Sequence, residues 1–200
     1  MYIEHVLNKH PIIGAIKDIE DLEGVAAEGM DVLFILRSKL SSLNKMVIQA
    51  KELDTLVFLH LDMVKGIGND REAIKYLAEE IGIDGVVTTK SYLIKAAKKE
   101  DLITIQRLFL LDSESLRTGV NIINNTKPDL IEVLPGLVVP EMIDRLEDKI
   151  DLPMIAGGLI RDPLVVRKVL NSKVLAISTS DQELWKMNFS KGSLSQPNEA

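Results

Sequence analysis

The chain alternates between short, continuous apolar runs and longer stretches whose apolar residues recur every three or four positions. The short runs are Pro11–Ile16, Asp31–Leu36, Leu56–Leu61, Gly85–Thr89, Leu102–Leu108, Leu130–Leu134, Met154–Ala156 and Val174–Ser178. Val, Ile and Leu dominate them without an in–out alternation, the pattern of parallel strands covered on both faces. The longer stretches predict helices. In DREAIKYLAEEIG, which follows Asn69, Ala73, Leu77, Ala78 and Ile81 make an apolar stripe and Gly82 supplies a stop. ESLRTGVNIINNTK follows Ser113, sets Leu116, Val120 and Ile123 on one face, and ends before Pro128. Helices over Pro140–Leu146 and Pro163–Leu170 open on a proline, which a first turn tolerates.

Strand followed by helix, eight times over, predicts an α/β fold of one small (β/α)8 barrel; an open doubly wound sheet is the competing arrangement. The barrel would occupy residues 1–187 as a single domain, with 188–200 a flexible polar tail. About 250 residues is usual for such a barrel, so the loops here must be short.

Composition narrows the chemistry. With no cysteine among 200 residues, disulfides, thiolate metal sites and cysteine nucleophiles are excluded. His5, His10 and His60 have no zinc-site spacing, so neither metal nor cofactor is expected. The formal net charge of −6 disfavours indiscriminate binding to nucleic acid or anionic membrane, while leaving room for a local basic patch. MYIEHVLNKHPIIGAI is no secretory leader, and no apolar run reaches the roughly 18 residues of a membrane span, so a cytoplasmic protein is expected.

In a (β/α)8 barrel, function collects at the C-terminal ends of the strands. Polar residues there include His60 and Asp62 after the third strand, Thr88 and Lys90 after the fourth, and Gln106 and Arg107 in the fifth. The sixth carries Glu132 and then Gly136, the seventh ends in Gly157-Gly158, and the eighth in Ser178-Thr179-Ser180 before DQELWKM. Two glycines expose backbone N–H groups, and a hydroxyl run opening a short helix adds further donors, which together read as a phosphate site. The alternative is a tight turn and a helix cap. Glu132, set between Ile131 and Val133, is costly to bury unpartnered: it reads as a ligand contact, an ion-pair partner of Arg107 or Lys90, or a base. Asp62 has Lys65 as a candidate partner, and Arg107 calls for an anion, whether phosphate, Glu132 or Asp112.

HLDMVKGI, GVVTTK, IQRLFLLDS, TKPDLIEVLPG, IAGGLI and AISTSDQELWK occur in that order, and with them the chain resembles the glycerol-3-phosphate-responsive antiterminators of bacterial glycerol uptake operons, from about Pro11 to Trp185. The resemblance implies a regulator rather than an enzyme, with glycerol 3-phosphate as effector and the leader mRNA of glycerol-utilisation operons as partner. It supports Gly157, Gly158, Thr179 and Ser180 on the phosphate, beside Ser178 from the strand-end pattern, and Asp62 and Glu132 on the polyol; Arg107 is placed with the polyol but fits either end of the ligand. His60, Thr88, Lys90 and Gly136 are further pocket candidates. The second strand, DVLFILRSKLSSL, departs from the more polar strand end expected of relatives, which puts its share of the pocket in doubt.

For RNA, Lys95, Lys98 and Lys99 form the densest basic segment, with Arg37, Lys39 and Lys45, or Lys186 and Lys191, as sparser alternatives. A homo-oligomer is a further candidate partner state, symmetric dimers being common. Two rival functions stand beside this reading: a barrel enzyme acting on a phosphorylated polyol (a transferase, aldolase or synthase), and a metabolite sensor whose partner is another protein.

Overall fold

A computed structural model describes residues 1–187 and Phe189. The eight expected strands form: β1 (Ile12–Ile16), β2 (Val32–Ile35), β3 (Leu56–His60), β4 (Gly85–Thr88), β5 (Ile103–Phe109), β6 (Leu130–Leu134), β7 (Met154–Gly157) and β8 (Ala176–Thr179). All are parallel, each pairs with its neighbour in sequence, and β1 pairs with β8 through Ile12↔Ile177 and Ile13↔Ser178, which closes the barrel. Closure decides against the open sheet.

A helix follows each strand: α2 (Leu22–Glu28), α3 (Leu40–Lys51), α4 (Arg71–Tyr76, extended to Ile81 by a wider turn), α5 (Ser91–Ala97), α6 (Ser113–Thr126), α7 (Val139–Glu147), α8 (Pro163–Asn171) and α9 (Gln182–Trp185). They follow α1 (Tyr2–Lys9), which the hydrophobic pattern did not single out. The glycine stops act as expected: Gly29 and Gly82 adopt left-handed φ values of 58° and 75°. Two caps lie one residue from their expected places. Asp70, not Asn69, accepts the Ala73 N–H, and Asp112, not Ser113, accepts that of Ser115 while the Ser115 hydroxyl takes the Asp112 N–H. In each case the carboxylate is the stronger acceptor for orphan donors at the positive end of a helix.

The core has two layers. Between strands and helices, Leu33, Val57, Val86, Ile131, Ala156 and Ile177 meet helix residues such as Leu43, Leu93, Leu146 and Val169. Inside the barrel, Ile13, Phe34, Phe58, Ile105 and Ile155 fill the cross-section, the Phe34 and Phe58 rings lying 5.7 Å apart. Gly85 makes this possible, since a Cβ there would collide with the Phe58 ring and the Ile103 carbonyl. Ile3 and Leu7 of α1, fully buried, pack against Val32, Leu130 and Ala176 and plug the N-terminal end. The tail expected at 188–200 lies outside the described residues apart from Phe189, which is buried and has the Arg167 guanidinium 5.6 Å above its ring.

Candidate functional site

Strand alternation sends every second residue into the barrel. Above the apolar layer of Phe58, Ile105, Leu130 and Ala176, the next inward positions are His60, Arg107, Glu132 and Ser178, which makes the C-terminal end polar. Glu132 is 1% exposed and could not remain charged there alone. Arg107 Nε reaches one of its carboxylate oxygens at 2.6 Å, and the Ser178 hydroxyl donates to the other at 2.6 Å. Among the partners considered for Arg107, the structure selects Glu132; Asp112 is occupied as a helix cap.

This cluster floors a cavity of about 530 Å³ open at the barrel mouth. Arg107, Glu132, Gly158, Ser178, Thr179 and Ser180 line it, and Leu36 of the second strand-end loop closes one side with an apolar contact. Nε is the only guanidinium nitrogen of Arg107 bonded to another side chain among the described residues, which leaves the terminal nitrogens for a guest.

Gly157 and Gly136 lie behind this wall. A Cβ on Gly157 would stand 2.5 Å from Glu132 Oε1 and 2.7 Å from Ser178 Oγ, so glycine here lets β7 pass the buried carboxylate. Gly136 donates its N–H to the Gly158 carbonyl, and a Cβ on it would meet Ile160 Cδ1 at 2.6 Å. Gly158, at φ 77°, is the glycine that faces the cavity. The helix after Ser180 is weaker than expected as an anion site: α9 has four residues, and the Asp181 carboxylate already takes its Glu183 N–H.

Asp62, Thr88 and Lys90 form a separate knot. The Thr88 hydroxyl donates to one Asp62 oxygen at 2.8 Å, while the Thr89 N–H and hydroxyl donate to the other at 2.8 and 2.9 Å. Lys90 Nζ is 3.8 Å from the carboxylate, and Lys65 is not its partner among the described residues. Asp62 therefore clamps the β3 loop to the β4 loop, and it does not line the cavity. The structure thus gives Asp62 partners of its own, where the sequence suggested a polyol contact. Burial opposes its charge, but the Thr89 N–H, the two hydroxyls and nearby His60 outweigh burial and hold its pKa below the ordinary carboxylate value. Thr88 is fully buried and turned toward the helical shell, where Gln106 donates to its carbonyl.

His60 is 5% exposed with Nδ1 unpartnered; burial, then Arg107, lower its pKa against the opposing pull of Asp62 and Glu132. It is neutral at pH 7.

The comparisons bear on what this cavity serves. A family model described as glycerol-3-phosphate responsive antiterminator matches residues 12–185. The chain belongs to that family. It is similar to the crystal structure of the glycerol uptake operon antiterminator regulatory protein of Listeria monocytogenes, at 35% identity and TM-score 0.85, covering 90% of this chain and 96% of that one. A glycerol uptake operon antiterminator-related protein of Thermotoga maritima shares 33% identity and a TM-score of 0.80, covering 90% and 99%. The uncharacterized protein YgcP of Escherichia coli is 31% identical over 185 residues, 92% of this chain and 96% of its own length.

Antiterminators of this family respond to glycerol 3-phosphate. Among the described residues no cluster of His, Cys, Asp and Glu suits a metal ion, and no helix is long and apolar enough to cross a membrane. Among the cavity residues that escaped the sequence reading, one carries a charge suited to an anion. Arg161 lines the cavity and has no ion-pair partner among the described residues. The signal was there: it is the first cation after IAGGLI, three residues beyond the left-handed Gly158.

Proposed function

We propose that this antiterminator binds glycerol 3-phosphate in the cavity above Arg107, Glu132 and Ser178, and then binds the leader mRNA of glycerol-utilisation operons to prevent premature termination. The observation that carries the reading is the buried Arg107–Glu132–Ser178 cluster flooring a cavity whose rim holds Gly158 and Arg161. The phosphate belongs at Gly158, Thr179 and Ser180, with Arg161 supplying the charge that the short, acid-capped α9 does not. The glycerol hydroxyls belong over Glu132 and the free edge of Arg107. Gly157 holds the carboxylate in place from behind, and Asp62 acts as a loop clamp.

The arrangement favours recognition over turnover. Both Glu132 oxygens are engaged, one by Arg107 and one by the Ser178 hydroxyl, which suits a fixed binding surface better than a free base. The protein acts as a regulator in the cytoplasm, where its transcript is made. The ligand promotes RNA binding only as far as it prefers the RNA-competent state, and a tenfold preference needs about 1.4 kcal/mol, the scale of one charge-assisted hydrogen bond.

Calorimetry with glycerol 3-phosphate, followed by leader-RNA gel shifts with and without it, tests both halves. Binding that weakens at least tenfold in Arg161→Gln is expected. No heat and no thermal shift at millimolar ligand would overturn the reading.

A further inference from the structure

Beside the effector cavity the acidic protein carries a locally basic cleft. It measures about 590 Å³ and gathers Lys17, Arg37, Lys39 and Lys65 from the loops after β1, β2 and β3. Two carboxylates, Asp18 and Glu20, share it. Arg37 pairs with Asp18 at 3.2 Å, but both side chains are more than half exposed, at 57% and 63%, so the pair is weak and free to exchange for another anion. Lys17, Lys39 and Lys65 have no ion-pair partner among the described residues.

The backbone forces two of these cations together. Ser38–Lys39 and Val64–Lys65 form a two-stranded parallel sheet in which Lys39 is the register partner of Lys65. Like charges directly opposite one another repel, and an anion laid across them removes the cost. No aromatic side chain lines the cleft, so it is built to meet phosphates rather than to stack bases.

We propose that this cleft docks the phosphate backbone of the leader RNA. The inference rests on the RNA-binding reading above and says where on the protein the strand lies. It displaces the segment Lys95–Lys99 suggested by sequence. There Lys98 is spent on the Lys127 carbonyl and lies 4.0 Å from Asp129, residues that precede β6 at the barrel end opposite the effector cavity.

The cleft shares a wall with the cavity. Leu36 lines the cavity and Arg37 the cleft; Ala15 lines the cavity and Lys17 the cleft. The Leu36 N–H donates to the Ile16 carbonyl at 2.8 Å, tying the two strand ends together. A guest that orders Leu36 thereby sets the position of Arg37 and its neighbours.

The test is filter binding of a leader transcript at saturating glycerol 3-phosphate, from 50 to 200 mM salt. It compares the unmodified protein with K17Q/K39Q/K65Q and K95Q/K98Q/K99Q. Each phosphate contact to a single strand contributes about 0.7 to the salt slope, so losing three flattens it by about 2 and weakens binding roughly 50-fold at 0.15 M salt. The α5 variant is expected to stay within about threefold of the unmodified protein. Calorimetry with glycerol 3-phosphate, unchanged in every variant, shows that fold and cavity survive; if the triple variant fails that check, K39Q and K65Q singly are each expected to weaken RNA binding about fourfold. RNA binding by the cleft variant at the unmodified level, or a loss confined to the α5 variant, overturns the cleft and leaves the RNA reading standing. Retained RNA binding with lost antitermination assigns the cleft to a protein partner and likewise overturns it. An unmodified protein that binds no RNA overturns both.

Discussion

Replacing Arg107 by methionine removes the only cation that, among the described residues, pairs with a carboxylate that is 1% exposed. The Arg side chain itself is 11% exposed, so the pair sits at the inner edge of the cavity, and Met fills much of the same volume. What remains is Glu132 held by the Ser178 hydroxyl alone. Breaking a buried pair from one side costs about 3–5 kcal/mol, because the uncompensated charge is worth more than the lost contact. Replacing both partners by methionine removes the charge as well. The double variant should lie within about 1–2 kcal/mol of the unmodified protein, most of that being the orphaned Ser178 hydroxyl. For a chain of this size a loss of 4 kcal/mol lowers Tm by roughly 8–16 °C. Urea unfolding of R107M, E132M and R107M/E132M, read as a double-mutant cycle, gives the coupling directly. A single-variant cost for R107M below about 1 kcal/mol would refute the reasoning, since Glu132 would then be solvated from the cavity.

In Gly157→Ala the new methyl collides with Glu132 Oε1 and Ser178 Oγ, so about 1–3 kcal/mol of stability and at least tenfold in effector affinity should be lost, by unfolding and calorimetry; unchanged affinity would detach the cavity floor from ligand binding. His60 has a depressed folded pKa, so between its folded and unfolded values the unfolded chain binds more protons: stability is full above about pH 6.5 and falls as the pH drops below it. His60→Asn should flatten that limb of the unfolding free energy against pH, and an unaltered limb would assign it to other groups. Asp62 acts at lower pH with the same sign, its stabilisation being present above about pH 4 and lost as the pH falls through its folded value, so Asp62→Asn should remove the acid limb beneath the His60 window. Leu7→Ala should cost about 2–5 kcal/mol by opening the N-terminal plug, and a cost near zero would mean that α1 is dispensable.

The strands were legible because a parallel barrel buries both faces of each strand, which writes Val, Ile and Leu without interruption. The plugging role of α1 was not: Ile3, Val6 and Leu7 make a short apolar stripe, but their partners in the barrel interior come from strands far along the chain, which no local pattern records. Glu132 and Arg107 stood out as charges inside apolar strands. Their pairing follows from register, since they are cross-strand partners on β6 and β5. The bonds of Asp62 were hidden for the complementary reason: a carboxylate at a strand end is visible in the sequence, but the Thr88 and Thr89 donors that meet it arrive from the next strand. Lys17 and Lys65 are 48 residues apart in the chain and meet through topology alone.

The proposed placement of the RNA cleft beside the effector cavity has an electrostatic consequence. Glycerol 3-phosphate brings about two negative charges to a wall shared with a phosphate-binding surface. At a separation of ~10 Å in a water-like dielectric, two charges repel one RNA phosphate by about 0.8 kcal/mol before screening. Physiological salt, with a Debye length near 8 Å, reduces this without abolishing it. Charge alone therefore makes the effector an inhibitor of RNA binding. An effector that promotes antitermination must work through geometry, with a conformational preference that exceeds the wanted enhancement by the size of the repulsion. For a tenfold effect the total is about 2 kcal/mol. The element able to deliver it is the continuous stretch Leu36–Lys39, one end against the guest and the other in register with Lys65. A rigid link of that kind transmits position while the apolar Leu36 side chain keeps the two anions from sharing a solvent shell.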